Sequence, residues 1–387
     1  MRVKRNRSLF LAFCMFALFF STGCDGIKKN AKVKFQTETY TVFDAGDNDV
    51  NSYRIPSIVA TPNGTLLVFC EARRESWKDK SRTDIVVKRS VDGGKTWSPM
   101  YDLTQGTTGA YMDPTPVIDN VTGRIFLFTT FWPADNHSGS QNKAFLITSD
   151  NDGETWSTAK DITDELLPEG KTPNGFGPGS GLQMRGDVYK ERLILPIRIA
   201  DADGKGTHDA AAYSDDHGIT WQIGEAGDDN NEFQIAESPF NTLIYNARVA
   251  NGRMVSRSVD GGITWAKAVK DASLPGVSKG CQASILGQNE TLYFTGIQGI
   301  PETDEFDERA RLALYTSTDG GNTWDEGILL YEKASGYSCI TALPDGRLAI
   351  VFETADTPAF TRKSIAQTVP PKRSAGWMRL DVIIVTN

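Results

Sequence analysis

Histidine is almost missing from this chain of 387 residues: His137, His208 and His217 are all it has, and they show no metal-ligand spacing. That argues against a zinc centre and against a serine–histidine couple. Cysteine is sparse too. Two of the five, Cys14 and Cys24, fall near the N-terminus, leaving Cys70, Cys281 and Cys339, an odd and widely spaced set that indicates no disulfide framework. Each is expected as a small buried hydrophobe. Long amphipathic helical patterns are also lacking; Asp161 to Leu167 is the one stretch that reads as a helix. Positive charge is in deficit, with a formal net charge of −8. Nucleic acid is a poor partner for such a chain, and an anionic ligand would need a local cationic cluster working against the overall field. Neither a metal nor an organic cofactor is expected.

What is present begins with a leader. Arg2, Lys4, Arg5 and Arg7 precede an apolar run from Leu9 to Phe20, too short to span a bilayer comfortably, and Ser21-Thr22-Gly23 then leads into Cys24. Residues 1–23 read as an export signal. Cys24 resembles the lipid-attachment cysteine of bacterial lipoproteins, with Ser21 where Leu is usual; cleavage after Gly23 without lipidation is the alternative. The expectation is an exported, periplasmic or outer-surface lipoprotein, tethered by residues 24–31 and held to the membrane through Cys24 alone.

The remainder, 32–387, is organised by a repeated phrase. Ser-x-Asp-x-Gly-x-Thr-Trp occurs at Ser90–Trp97, Ser214–Trp221, Ser258–Trp265 and Ser317–Trp324, and once with Asn151 replacing Asp at Ser149–Trp156. The Asp side chain can accept bonds from nearby backbone N–H groups, the Gly supplies a positive φ, and Thr-Trp restarts a strand. Five of the eight Trp residues sit in these boxes, which marks them as scaffold. Short apolar runs bounded by Gly and Asp fill the intervals. Arrayed units of this length point to an all-β fold, specifically a six-bladed β-propeller. Its unboxed blade would combine the C-terminal strand Leu380–Val385 with a strand near Phe35–Phe43.

Between the boxes lie triplets of another kind: Tyr53-Arg54-Ile55-Pro56, Glu71-Ala72-Arg73 followed by Asp79, Met112-Asp113-Pro114-Thr115, Asn231-Glu232, Asn246-Ala247-Arg248 and Gly336-Tyr337-Ser338. In this order, with the boxes, they resemble the bacterial exo-α-sialidase (neuraminidase) family over the whole mature chain. The resemblance implies hydrolysis of terminal sialic acids from glycoproteins, gangliosides or oligosaccharides. It nominates Arg54, Arg248 and Arg309 as a carboxylate clamp, with Arg311 as the alternative third member, since period-2 alternation puts both on one strand face. Glu353 would steady Arg54, or else be an ordinary strand-end charge.

The chemistry supports these nominations. Sialic acid carries a carboxylate on its anomeric carbon, and the planar fork of Arg grips a carboxylate in bidentate fashion. The same charge repels an anionic nucleophile but not a neutral phenol, and sialidases are the glycosidases that use Tyr. Tyr337 is the nucleophile so implied, with Glu232 as its base and Glu237 the nearest competitor. Asp79, in a polar loop, is the implied general acid and base; Glu75 and Asp84 are rivals. Arg73 and Asp113 would hold the O4 edge. Met112 and Trp132 would line the N-acetyl pocket or pack in the core. Transfer to another acceptor, and a propeller that binds sialoglycans without turnover, are the alternatives to hydrolysis.

Overall fold

The computed structural model describes residues 35–386 except 106–107, 135–137, 226, 228–230, 240, 301–308 and 361–378. The leader, Cys24 and His137 lie outside the described residues. Within them the chain is almost wholly β. Strand β1 (Gln36–Phe43) is followed by a first antiparallel group of β2 (Ser52–Ala60), β3 (Leu66–Arg73), β4 (Thr83–Ser90) and β5 (Tyr101–Asp102). The second comprises β6 (Ala110–Ile118), β7 (Ile125–Trp132), β8 (Lys143–Ser149) and β9 (Lys160–Asp161). One helical turn, α1 (Thr163–Leu166), leads to the third: β10 (Lys171–Phe176), β11 (Leu182–Gln183), β12 (Leu193–Asp201), β13 (His208–Ser214) and β14 (Gln222–Ile223). The fourth is β15 (Phe233–Glu237), β16 (Leu243–Val249), β17 (Gly252–Ser258) and β18 (Val269–Asp271). In the fifth, β19 (Ser284–Gln288), β20 (Thr291–Ile297) and β21 (Ala310–Ser317) pair onto the long β22 (Ile328–Ala342). The far half of β22 starts the last group, with β23 (Leu348–Thr354), β24 (Arg379–Thr386) and β1. The first and last described strands thus share one sheet, as the sequence predicts.

Consecutive residues of a strand face opposite sides of its sheet, and here both sides are buried. Val68 joins a cluster with Val351 and Val382 of the last group, while Phe69 joins one with Leu127 of the second. Phe128 packs with Leu195, Ile194 with Tyr245, Ile244 with Phe294, and Leu314 with Ile350. Each apolar cluster therefore lies between successive groups. Cys70, Cys281 and Cys339 are buried and unpaired by disulfides.

The boxes form turns of the expected kind. In Ser214–Trp221, Asp216 accepts the Thr220 backbone N–H at 2.9 Å and its hydroxyl at 2.6 Å, while Ser214 Oγ donates to Asp216 at 2.8 Å and accepts the Gly218 N–H at 2.8 Å. Gly218 has φ 79°, and a Cβ there would overlap the Phe126 ring of the preceding group. Only glycine meets both demands. Trp221 stands edge-on to Phe126 and Phe128, so the box fastens one group to its neighbour. The Asn151 copy keeps the arrangement with one polarity reversed: its amide donates to Thr155 Oγ1 at 2.9 Å instead of accepting. This natural variant sets an expectation for Asp260. Asp260→Ala should cost about 0.5–2 kcal/mol, the range for losing a helix-cap acceptor, and Asp260→Asn distinctly less. Urea unfolding midpoints measure both, and equal losses would show that charge rather than acceptor geometry matters there.

Candidate active site

Several site residues sit where paired strands break register. The β2–β3 pairing shifts between Arg54 and Ser57, β6–β7 between Met112 and Thr115, β10–β12 between Pro173 and Gly175, and β22–β23 between Ser335 and Ser338. A bulge re-aims side chains and frees a backbone N–H. Ile55 and Asp113 are held at φ 54° and 57°, a region costly for residues other than glycine, above all a β-branched one.

Two fully buried carboxylates hold these bulges. Glu353 accepts the Ile55 N–H at 3.0 Å, the Tyr337 N–H at 3.2 Å and Arg54 Nε at 2.6 Å. A Cβ at residue 336 would overlap Glu353 Oε2, which explains Gly336 before the tyrosine. Glu71 repeats the device one group on, accepting the Asp113 N–H at 3.1 Å and Arg73 Nε and Nη2 at 2.9 and 2.7 Å. Each glutamate locks an arginine and a strained strand with the same carboxylate.

Arg54, Arg73, Asp79, Met112, Asp113, Trp132, Glu232, Arg248, Arg309 and Tyr337 all line one cavity of about 750 Å³, with Glu353 directly behind Arg54. Several of these side chains converge at Tyr337. Its hydroxyl donates to Glu232 Oε1 and accepts from Arg248 Nη1 at 2.9 Å, and Arg248 also reaches Glu232 Oε2 at 2.7 Å. The guanidinium carbons of Arg309 and Arg54 stand 5.3 and 5.8 Å from the Tyr337 ring centroid. Asp79 is at the rim, its side chain 73 % exposed, 2.7 Å from Arg73 Nη1.

The electrostatics separate the three groups. Burial pushes the Tyr337 phenol well above its ordinary pKa; the Glu232 charge pushes the same way, and Arg248 and Arg309 offset only part. Burial also works to raise Glu232, but Arg248, Arg198 and the Tyr337 hydrogen bond outweigh it and hold the carboxyl below its usual range. At Asp79 desolvation by the walls is likewise outweighed, by Arg73, Arg54 and Arg309, and the net shift is downward. The cavity therefore pairs a neutral phenol with an ionised base.

Several alternatives from the sequence fall away on placement. Arg311 does not share the face of Arg309. Strand β21 shifts register on either side of Leu312, Arg311 adopts φ 66°, and its Nη2 donates to Gln298 at 3.3 Å, outside the cavity. The bulge defeats the period-2 argument. Glu237 is at the far end of β15, where it accepts the Arg185 and Gly186 N–H groups. Asp84 is bound to Arg74, and Glu75 faces Arg82. Sequence reasoning nominated none of five further lining residues: Ile55, Trp77, Lys80, Asn174 and Arg198. Lys80 Nζ sits 3.6 Å from the centroid of the Trp132 ring, a cation–π contact tying the Asp79 loop to β7. Only the side-by-side order of Asp79 and Lys80 hinted at it.

Comparison with known proteins bears on the family and the fold. Residues 64–350 match the BNR repeat-like domain family. The chain is 30% identical over 336 residues to a sialidase of Micromonospora viridifaciens, covering 78% of this chain and 50% of that protein. It is 29% identical over 353 residues to a sialidase of Bacteroides fragilis (strain YCH46), covering 80% and 61%. It thus spans about half to three-fifths of the length of these relatives. Among solved structures, the Hadza microbial sialidase Hz136 superposes with a TM-score of 0.72 at 29% identity, covering 81% of this chain and 66% of that one.

Proposed function

This chain belongs to the BNR repeat-like domain family, and from that premise we propose that it is an exo-α-sialidase acting with retention through Tyr337 on sialylated glycans. The observation that carries the reading is the Tyr337 hydroxyl bonded to Glu232 and Arg248 between two further arginines. Arg54, Arg248 and Arg309 supply the clamp for the substrate carboxylate, with Arg54 pre-set by Glu353. As the phenolic oxygen bonds to the anomeric carbon, its proton passes to Glu232 and the bond to the leaving sugar breaks, with Asp79 protonating the departing oxygen. Asp79 then takes a proton from water, the water oxygen bonds to the anomeric carbon, and the tyrosyl bond breaks as Glu232 returns its proton.

The fold reading completes this: a six-bladed propeller with the cavity on its axis. The cyclic succession of apolar clusters supports it, as does the first box, whose Gly94 lies against Ile384 of the last strand. An experimental map with a seventh group, or with the terminal strands in separate sheets, would contradict it.

Asp79 offers the test that separates this from a binding protein. Its carboxyl is held low in the free site by cations that a bound carboxylate neutralises. Protonation of Asp79 should therefore persist to higher pH in the complex than in the free enzyme, so the alkaline limb of kcat should lie above that of kcat/KM. Asp79→Ala should slow release of a sialyl-lactose by about 10²–10⁴-fold, yet barely slow an aryl sialoside whose leaving group needs no proton. Equal loss on both substrates would remove Asp79 from the acid role, and a wild-type protein that binds sialosides without releasing product would remove the enzyme reading.

A further inference from the structure

Arg253 has no place in the assignments above, yet it is among the largest fully buried side chains of the described residues. It lies on β17 directly opposite Arg248 of β16. Its Nε donates to Asn246 Oδ1 at 2.6 Å and its Nη1 to the Cys281 carbonyl at 2.6 Å, and its guanidinium carbon stands 5.6 Å from the Phe294 ring centroid. Neither acceptor is a carboxylate, and among the described residues none forms an ion pair with Arg253. A cation taken out of water without a counter-charge is costly, and a neutral side chain of similar bulk would serve packing at less cost. Burial accordingly pushes Arg253 down to about 10, with Glu232 acting in the opposite sense and Arg248 adding to the fall. At neutral pH the charge is still present.

The Cys281 carbonyl belongs to a short segment, 279–282, that touches the cavity residues on two sides. The Lys279 carbonyl accepts Arg248 Nη2 at 3.3 Å. Gly280 has φ 67°, and a Cβ there would come within 2.9 Å of Arg248 Cγ, so the turn is seated against the stem of that arginine. Gln282 accepts the Ser338 N–H at 3.0 Å and donates to the Ser338 carbonyl at 3.0 Å, next to Tyr337. The segment therefore links Arg248, from the fourth group, to the strand of Tyr337, from the last. Arg253 clamps it to Asn246, two residues before Arg248. We propose that Arg253 is a positioning residue for the reaction: from behind the cavity it fixes segment 279–282, sets Arg248 against Tyr337 and Glu232, and contributes a positive charge that favours an ionised Glu232 and an anionic substrate. This step rests on the sialidase reading. Glu232 also faces Arg248, Arg198 and Tyr337, and the charge of Asp113 bears on it as well, so Arg253 acts as one of several cations there.

The test uses the whole protein, an aryl sialoside whose leaving group needs no proton, and an unreactive sialic acid analogue. On that substrate the acid limb of kcat/KM follows the ionisation of Glu232 in the free enzyme. Arg253→Gln keeps a donor but no charge. It should lower the plateau of kcat/KM by about tenfold or more and move the acid limb to higher pH, because losing a nearby cation raises the Glu232 pKa. Arg253→Lys keeps the charge and loses the fork, so it should leave the limb at its wild-type pH and recover part of the lost rate. Thermal midpoints check that both variants fold. If Arg253→Gln does not fold, Arg253→Lys decides alone: weaker binding of the analogue with an unmoved limb supports the proposal, and wild-type affinity overturns it. A loss in Arg253→Gln that is the same at every pH, with Arg253→Lys no better, would overturn it, because Arg253 would then serve packing alone. Wild-type kinetics in Arg253→Gln would overturn it too. A wild-type protein that turns over no sialoside would overturn the sialidase reading itself, and this proposal with it, a result distinct from the others.

Discussion

Tyr337→Phe is expected to lower kcat/KM on an aryl sialoside by at least about 10³-fold while leaving the affinity for an unreactive sialic acid analogue within a few fold. The asymmetry follows from the contacts. The hydroxyl bonds to Glu232 and Arg248, whereas the ring packs in an apolar cluster that Phe preserves. Burial keeps the phenol neutral, and Glu232 beside it is held ionised, which suits it to the proposed role of proton acceptor. Glu232→Gln should therefore approach the Tyr337→Phe loss, because a phenol without its base reacts only as a phenol. The double variant should be scarcely worse than either single one, as expected for residues that act as a unit. Additive losses would show that the two side chains contribute separately.

Glu353→Ala should have the largest effect on stability among the site residues. Its carboxylate, wholly buried, is the acceptor for Arg54 Nε and for the backbone N–H groups of Ile55 and Tyr337. Truncation leaves a buried guanidinium without its counter-charge, and breaking such a pair costs about 3–5 kcal/mol. Two bulge N–H groups lose their acceptor at the same time. Glu353→Gln keeps the shape and one acceptor oxygen, so it should unfold later in urea than the Ala variant yet bind a sialic acid analogue more weakly than wild type, since Arg54 is no longer fixed by charge. Wild-type unfolding midpoints in Glu353→Ala would mean that Arg54 and the two bulges find other support.

Much of this was legible in the sequence because it depends on local chemistry. A Ser-x-Asp-x-Gly-x-Thr-Trp turn carries its own acceptor, its own positive-φ residue and its own apolar anchor, so Ser214–Trp221 can be read without neighbours. The triplets around Arg54, Arg248 and Tyr337 are equally compact. What stayed hidden depends on register. Arg309 and Arg311 are two residues apart, and a regular strand would present both to the cavity; the bulge at Leu312 and the positive φ of Arg311 turn the second away. Arg198 stands in an unremarkable run, Leu193 to Asp201, and becomes a site residue only because Gly175, far off in sequence, leaves room above it. Glu71 carries no signal that separates a strand-end acid from the acceptor for Arg73 and the Asp113 N–H. Lys80 reads as loop charge until the Trp132 ring is placed beneath it.

The central claim is that Tyr337 forms a bond to the anomeric carbon, and trapping that bond tests it most directly. In a 2,3-difluorinated sialic acid, fluoride at C2 leaves readily, while fluorine at C3 destabilises the oxocarbenium-like transition state and slows breakdown of the adduct. Incubation followed by intact mass measurement and peptide mapping should show one added sialyl unit, located on Tyr337, absent from Tyr337→Phe and slow to form in Glu232→Gln. A label on Asp79, Glu232 or any other residue would contradict the account, as would an active Tyr337→Phe protein that still releases product with retention.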